Sequence, residues 1–206
     1  MIKKILQEEW NKCQHYERES WGDNIFVTPS NGEVIKQNTY AKLLELVDSE
    51  QFNYINVNNK SILDVGCGPT SLLLRTKNFK RAVGIEPLFY SNEVNQEYAK
   101  HNIQLIAIPA EEMDFAENEF DEVWMYNVLQ HTYDPTLILN KCFKYGKTVR
   151  IFEWLDIPPH EGHPHEFKQE YFEQILNLNS NQFKIVQLST KELVGKAICI
   201  VIHKDN

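Results

Sequence analysis

The chain has 206 residues, a formal net charge of −8, and 42% hydrophobic and 12% aromatic residues. That length and apolar content suit one folded domain with a substantial core, and they exclude a disordered chain or a small scaffold in need of disulfide or metal staples. The negative charge repels a phosphate backbone, so a small molecule is favoured as partner over nucleic acid.

The start of the chain carries Lys3, Lys4, Glu8 and Glu9 and lacks the continuous apolar run of a signal peptide or membrane span. Cys13, Cys67, Cys142 and Cys199 share no metal-knuckle or disulfide-framework spacing. A cytoplasmic protein with reduced thiols and no membrane partner is expected; oligomeric state is not legible. Residues 1–59 read as a helical cap whose buried stripe is Val34, Leu43, Leu44, Leu46 and Val47. From Lys60 onward, short β-branched runs alternate with amphipathic stretches, the pattern of βαβ units. Strands are predicted at 61–65, 81–85, 103–108, 122–126 and 147–152, with helices at 70–77, 90–101 and 135–145 between them. Lys141, Lys144, Lys147 and Arg150 read as a solvated helix end. Then come a loop rich in Pro and His, a helix near 168–178, and strand-like runs at 183–188 and 197–203 that suggest an antiparallel hairpin.

The expected fold class is α/β: a doubly wound, mostly parallel seven-stranded sheet with an antiparallel C-terminal edge hairpin and an N-terminal helical cap. Residues 1–59 form the cap, 60–153 the cofactor-binding core, and 154–206 the lid loop, helix and hairpin, all within a single domain.

The strongest local signal is Ile62-Leu63-Asp64-Val65-Gly66-Cys67-Gly68-Pro69, an apolar strand running into a Gly-x-Gly turn with Pro69 opening a helix. Glycine at 66 and 68 permits a tight bend and close approach of backbone N–H groups to a ligand. Glu86 ends the next strand, where a ribose-binding acid is expected. A dinucleotide fingerprint wants a third glycine where Ser71 stands, and a pyrophosphate makes no use of Asp64. An amine-bearing, cationic ligand does.

Asp64-Val65-Gly66-Cys67-Gly68 resembles the glycine-rich motif of class I methyltransferases that use S-adenosylmethionine, in particular those acting on small molecules. Phe120-Asp121-Glu122-Val123-Trp124 resembles their fourth-strand motif, Val128-Leu129-Gln130-His131 and Asp134-Pro135 resemble the segment after that strand, and Lys144-Tyr145-Gly146-Lys147 resembles the turn into their fifth strand. The likeness runs from about Ser61 to about Gly146. It implies that Gly66 and Gly68 pack against the methionine and ribose parts of the cofactor, with Asp64 near its amino group. Glu86 then binds the ribose hydroxyls, Ala110 and Glu111 frame the adenine, and Asn127 faces the methionine moiety. Thr70 stands where a third glycine is common, and Pro109 where an acid commonly precedes the alanine.

Methyl transfer is an in-line displacement that needs alignment, exclusion of water and, for a hydroxyl or protonated amine, a base. Of the 7 histidines, His131 and His163 are the candidate bases, since both come after carboxyl ends of strands. The tract His160-Glu161-Gly162-His163-Pro164-His165 can be read as a metal site, but it lacks regular helical spacing and is taken as an ordinary lid loop, so no metal is expected. Trp21 and Trp154 are predicted pocket walls and Trp124 a core residue; Gln37 and Tyr40 can contribute from the cap. The expected function is transfer of a methyl group from S-adenosylmethionine to an oxygen or nitrogen of a small molecule such as a sugar or other metabolite. The alternatives are a non-catalytic module binding S-adenosylmethionine or a nucleotide, and an NAD-type oxidoreductase.

Overall fold

The computed structural model describes residues 2–21 and 29–204. Two helices come first, α1 (Gln7–Trp21) and α2 (Asn31–Leu43), and after them a short strand β1 (Ile55–Asn56) and then β2 (Ser61–Val65). The chain continues through β3 (Thr76–Lys77), β4 (Arg81–Ile85), α3 (Asn92–Lys100), β5 (Ile103–Ile106) and β6 (Phe120–Tyr126). It ends with α4 (Pro135–Tyr145), β7 (Gly146–Leu155), α5 (Gln169–Leu176), β8 (Phe183–Ser189) and β9 (Val194–His203). One sheet holds 7 strands in the order β5-β4-β2-β6-β7-β9-β8, while β1 and β3 pair separately. All pairs from β5 to β7 are parallel, and β9 runs antiparallel to both β7 and β8. The architecture is the expected doubly wound α/β sheet with a C-terminal hairpin at one edge.

Side chains alternate across the strands, so each β-branched run feeds two layers. Leu63, Val65, Val123, Met125, Val149 and Ile151 share one layer with Ile138 and Leu139 of α4 and Phe172 of α5. Ile62, Trp124 and Phe152 share the other with Tyr40 and Ala41 of α2 and Val94 and Tyr98 of α3. Helix starts obey the capping rules: Ser91 accepts from the Val94 N–H, and Asp134 accepts from the Leu137 N–H with Pro135 in the first turn.

Three local expectations are corrected. The stretch 70–77 is a single 3-10 turn, Leu72–Arg75, running into β3 rather than an α-helix. Ser71 caps that turn through the Leu73 N–H, the Thr76 hydroxyl closes back on the Leu72 carbonyl, and pairing with β1 takes the next residues. The glycine turn therefore does not lead into a helix N-terminus. In the cap, of which residues 22–28 lie outside the described residues, the stripe is displaced: Leu44 is fully buried, but the buried side chains of α2 are Gln37, Thr39, Tyr40 and Ala41. Leu43, Leu46 and Val47 pack half-buried at the rim.

The third correction concerns the basic run. Lys141 donates to the Glu111 and Met113 carbonyls, and Arg150 is 8% exposed. Its Nε donates to Glu122 Oε2 at 2.7 Å and its Nη1 to the Leu44 carbonyl at 2.7 Å, tying β7 to β6 and to the end of α2. Lys60 completes the cluster at 2.6 Å from Glu122. Burial alone would raise the Glu122 carboxyl, yet the bonds from Arg150 and Lys60 outweigh it and hold the group below its ordinary value. Removing one member of a buried pair strands the other without solvent, at about 3–5 kcal/mol. Arg150→Met is expected to lose about 3 kcal/mol in urea unfolding, and Arg150→Met/Glu122→Leu to recover part of that loss. A single variant within about 0.5 kcal/mol of wild type would show that the pair anchors nothing.

Candidate active site

From β2 the chain turns toward β4 and β5, whereas β6 lies on the other side of β2 and leads to β7. Open α/β sheets bind ligands at such a reversal, beyond the carboxyl ends of the strands. A pocket of about 670 Å³, open to solvent, lies there. Its floor includes Gly66 and Gly68, both in the left-handed region at φ +69° and +61°. A Cβ on Gly66 would stand 2.6 Å from the Val128 methyls, while one on Gly68 would meet nothing within 4 Å. The first glycine is required by packing; the second leaves backbone bare toward the pocket. Cys67 between them packs under Gly84, and burial pushes its thiol well above the ordinary value, which leaves it a small core residue.

Glu86 lines the pocket beside Leu88 and Tyr90. One carboxylate oxygen accepts from the Gly68 N–H at 2.9 Å and the other from the Leu88 N–H at 3.0 Å. Burial nonetheless pushes the carboxyl up to about 7. Ala110 and Glu111 also line the wall. Glu111 accepts the Tyr133 and Asp134 N–H groups on one oxygen, Oε1, and burial raises its carboxyl. Asn127 comes directly after β6 with φ +58°, and among the described residues its buried Oδ1 has no hydrogen-bond partner. Asp64 lies behind the floor: Oδ2 accepts from Ser71 at 2.5 Å and Tyr126 at 2.9 Å, and Oδ1 is buried and unpartnered among the described residues. Its carboxyl, too, is pushed up to about 7 by burial.

The opposite wall belongs to α1. Trp10, Gln14, Glu17 and Trp21 recur at helical spacing and all line the pocket. Trp10 Nε1 and Gln14 Nε2 both donate to the His131 carbonyl, at 3.1 and 2.9 Å. The His131 ring also lines the pocket, with Nδ1 3.2 Å from Glu17 Oε1 and 3.1 Å from the Gly162 carbonyl. Burial alone would lower the His131 pKa, but the Glu17 contact outweighs it and the net shift is upward. His163 is not part of the pocket lining; its ring stands edge-on to His131 at 4.3 Å, and burial together with the neighbouring histidines pushes it down to about 3. His165 is buried and bonded to the Thr132 carbonyl.

The comparisons with known proteins bear on this arrangement. Residues 63–148 match the family model described as a methyltransferase domain. That segment is what the chain shares with methyltransferase domains. Two curated relatives of that domain are tRNA U34 carboxymethyltransferases, from Campylobacter curvus (27% identical over 124 residues, 58% of this chain and 38% of the relative) and Nautilia profundicola (30% over 93 residues, 43% and 31%). The chain thus spans about a third of the length of those relatives. Among solved structures, the N-methyltransferase NodS of Bradyrhizobium japonicum in complex with S-adenosylhomocysteine has TM-score 0.64 at 16% identity, covering 95% of this chain and 100% of that one. The 1,6-didemethyltoxoflavin-N1-methyltransferase of Burkholderia thailandensis, with 1,6-didemethyltoxoflavin and S-adenosylhomocysteine bound, has TM-score 0.63 at 13% identity, covering 100% and 93%. At those identities the likeness speaks to fold.

The pocket has one specific chemical feature. The unpartnered acceptors Asp64 Oδ1 and Asn127 Oδ1 sit at the ends of neighbouring strands, and buried acceptors without donors suit an amine-bearing ligand. The sequence-predicted residues Gly66, Gly68, Glu86, Ala110, Glu111, Asn127 and His131 are brought to this pocket, with Asp64 beneath it and His163 beside it. Trp21 lines it, but Trp154 packs into the core against Phe152 and Gly195, and neither Gln37 nor Tyr40 reaches the lining. Sequence reasoning missed Glu17 and Glu153. The first was signalled by the polar helix that spaces Trp10, Gln14, Glu17 and Trp21 on one face. The second stood as a lone acid in the apolar run Ile151-Phe152-Glu153-Trp154-Leu155.

The pH response of Glu86 is set by its environment. Its folded pKa of about 7 lies above the ordinary 4.5, so the protonated form is favoured by folding. That contribution is fully present below pH 4.5 and is lost as pH rises through about 7. Glu86→Gln, neutral throughout, is expected to gain stability relative to wild type as pH rises from about 5 to about 8 in cofactor-free protein, measured by urea unfolding. An equal difference at both pH values would place the titration elsewhere.

Proposed function

We propose that this chain transfers the methyl group of S-adenosylmethionine to an oxygen or nitrogen of a small molecule, such as a sugar or another metabolite. The observation that carries this reading is one pocket at the sheet's reversal point with the glycine turn and Glu86 on one wall and Glu17 with His131 on the other. The cofactor, when bound, supplies a methyl group on a sulfonium, open to in-line attack. Glu86 holds the ribose hydroxyls, since two backbone bonds leave lone pairs to spare on a carboxylate. Asp64 Oδ1 and Asn127 Oδ1 take the amino group, while Gly66 and Gly68 let the backbone approach. Glu111 keeps Oε2 for the adenine amine, because both of its backbone bonds fall on Oε1, and Ala110 packs beside the ring.

His131 takes the acceptor's proton, oriented by Glu17 and by the Gly162 carbonyl. The depressed pKa of His163 makes it the weaker base of the two, and its place is to buttress His131. The α1 wall keeps water from the transfer. The cap, the core and the C-terminal hairpin work as one unit in this reading.

The net charge of −8 opposes a polynucleotide. The relatives that act on tRNA favour a second reading, an RNA acceptor. An NAD-type oxidoreductase is disfavoured, because Ser71, in the place of the third glycine, is bonded to Asp64. A non-catalytic binding module is separated from an enzyme by turnover.

Protein incubated with S-adenosylmethionine and cell extract is expected to release S-adenosylhomocysteine, with the yield unchanged by RNase. Loss of product on RNase treatment would move the acceptor to RNA, and no product from any extract would leave a binding module. With the acceptor in hand, His131→Ala is expected to cut turnover by about 10²–10⁴-fold with cofactor affinity nearly kept. Glu86→Ala is expected to weaken cofactor binding by about 1.5–3 kcal/mol. The opposite pattern, with His131→Ala abolishing binding, would mean that His131 belongs to the cofactor site.

A further inference from the structure

Glu17, His131 and His163 come from α1, from the turn after β6 and from the loop after β7, and each offers a ligand atom within 4.8 Å of the others. Glu17 Oε1 stands 3.2 Å from His131 Nδ1, and the Gly162 carbonyl oxygen 3.1 Å from the same nitrogen. Two donors each about 2.1 Å from one ion, at tetrahedral or octahedral angles, are ~3.0–3.4 Å apart. The spacing therefore suits ligands of a shared ion as well as a simple ion pair.

An ion pair leaves one member unexplained. Among the described residues, the buried Nδ1 of His163 has no hydrogen-bond partner, although the ring lies 4.3 Å from that of His131. A buried polar nitrogen without a partner is costly, and a cation shared with its neighbours satisfies it. The group is also held firmly. His160 and His163 exchange two backbone hydrogen bonds of 2.9 Å, closing a tight turn over Gly162. A Cβ on that glycine would stand 2.5 Å from the Tyr16 ring and 2.8 Å from Glu17 Oε1, so the loop and α1 are in close packing where the three side chains meet.

We propose that Glu17, His131 and His163 bind a divalent transition-metal ion of the zinc class at the mouth of the pocket. Two imidazoles and a carboxylate are the donor set of open zinc sites, in which a further position stays free for water or substrate. Glu17 and His131 line the pocket, so the free position faces the acceptor, which accordingly bears a hydroxyl or carboxylate oxygen. This consequence rests on the methyl-transfer reading; ion binding does not. With the ion bound, the imidazoles are ligands and the ion replaces the free base. The expectation of no metal rests on the 160–165 loop alone, whereas Glu17 and His131 are distant in sequence and join only in the fold.

The site is tested by titrating Zn²⁺ into metal-stripped protein in a calorimeter and by monitoring visible absorption on adding Co²⁺. One ion per chain is expected, at micromolar affinity or tighter, with a Co²⁺ spectrum of nitrogen and oxygen ligands. His163→Ala and Glu17→Gln should each weaken binding at least ~10-fold, while His15→Ala, an exposed histidine paired with Glu19, leaves it unchanged. Circular dichroism establishes that each variant is folded, and a parallel titration with S-adenosylhomocysteine keeps failure of the metal site distinct from failure of the cofactor reading. Folded wild-type protein that takes up no ion, or variants that bind it as wild type does, overturn the site.

Discussion

A carboxylate taken out of water has to be met by donors, and at the carboxyl edge of this sheet most of those donors are backbone N–H groups of the pocket loops. Glu153, fully buried on β7, accepts from Val128, Leu129 and its neighbour Trp154. Glu86 accepts from Gly68 and Leu88, and Glu111 from Tyr133 and Asp134. Each acid thereby staples a loop that would otherwise be free beyond a strand end. Burial pushes Glu153 up to about 7, like Glu86. The glycine turn, the segment carrying Asn127 and His131, and the approach to α4 are positioned this way rather than by regular secondary structure.

Helix α1 is attached to this framework through His131. Its carbonyl receives Trp10 and Gln14, its ring meets Glu17, and Trp10 packs edge-on to Tyr133 at 5.4 Å. Only Trp10 and Cys13 of α1 are buried. With two buried side chains, α1 opens at lower cost than α4, which buries Pro135, Ile138, Leu139, Cys142 and Tyr145. Opening of α1 would admit ligand while the stapled wall stays in place.

What the amino-acid sequence disclosed was whatever rests on local chemistry. The β-branched runs of β2, β4 and β6, the Asp134-Pro135 cap of α4 and the Gly66 and Gly68 turn were legible because each depends on near neighbours. The stretch 70–77 was misread because Leu72, Leu73 and Leu74 mimic an amphipathic helix, whereas Ser71 and the β1–β3 pairing divert the chain into a 3-10 turn and a strand. Arg150 passed for a surface cation because its partners, Glu122 and the Leu44 carbonyl, are remote in sequence. Glu17 was missed for the same reason. Of the pocket, the wall of the glycine turn and Glu86 was readable from β2 and β4 and the turn between them, while the α1 wall exists only once α1 crosses the turn after β6.

The account stands on the pocket's choice of ligand, and a calorimetric comparison of S-adenosylhomocysteine with NAD on the folded wild-type protein tests it most directly. Binding of one S-adenosylhomocysteine per chain at micromolar concentration, with no heat from NAD in the same range, is the predicted result. A folded sample that ignores S-adenosylhomocysteine, or that binds NAD more tightly, would contradict it.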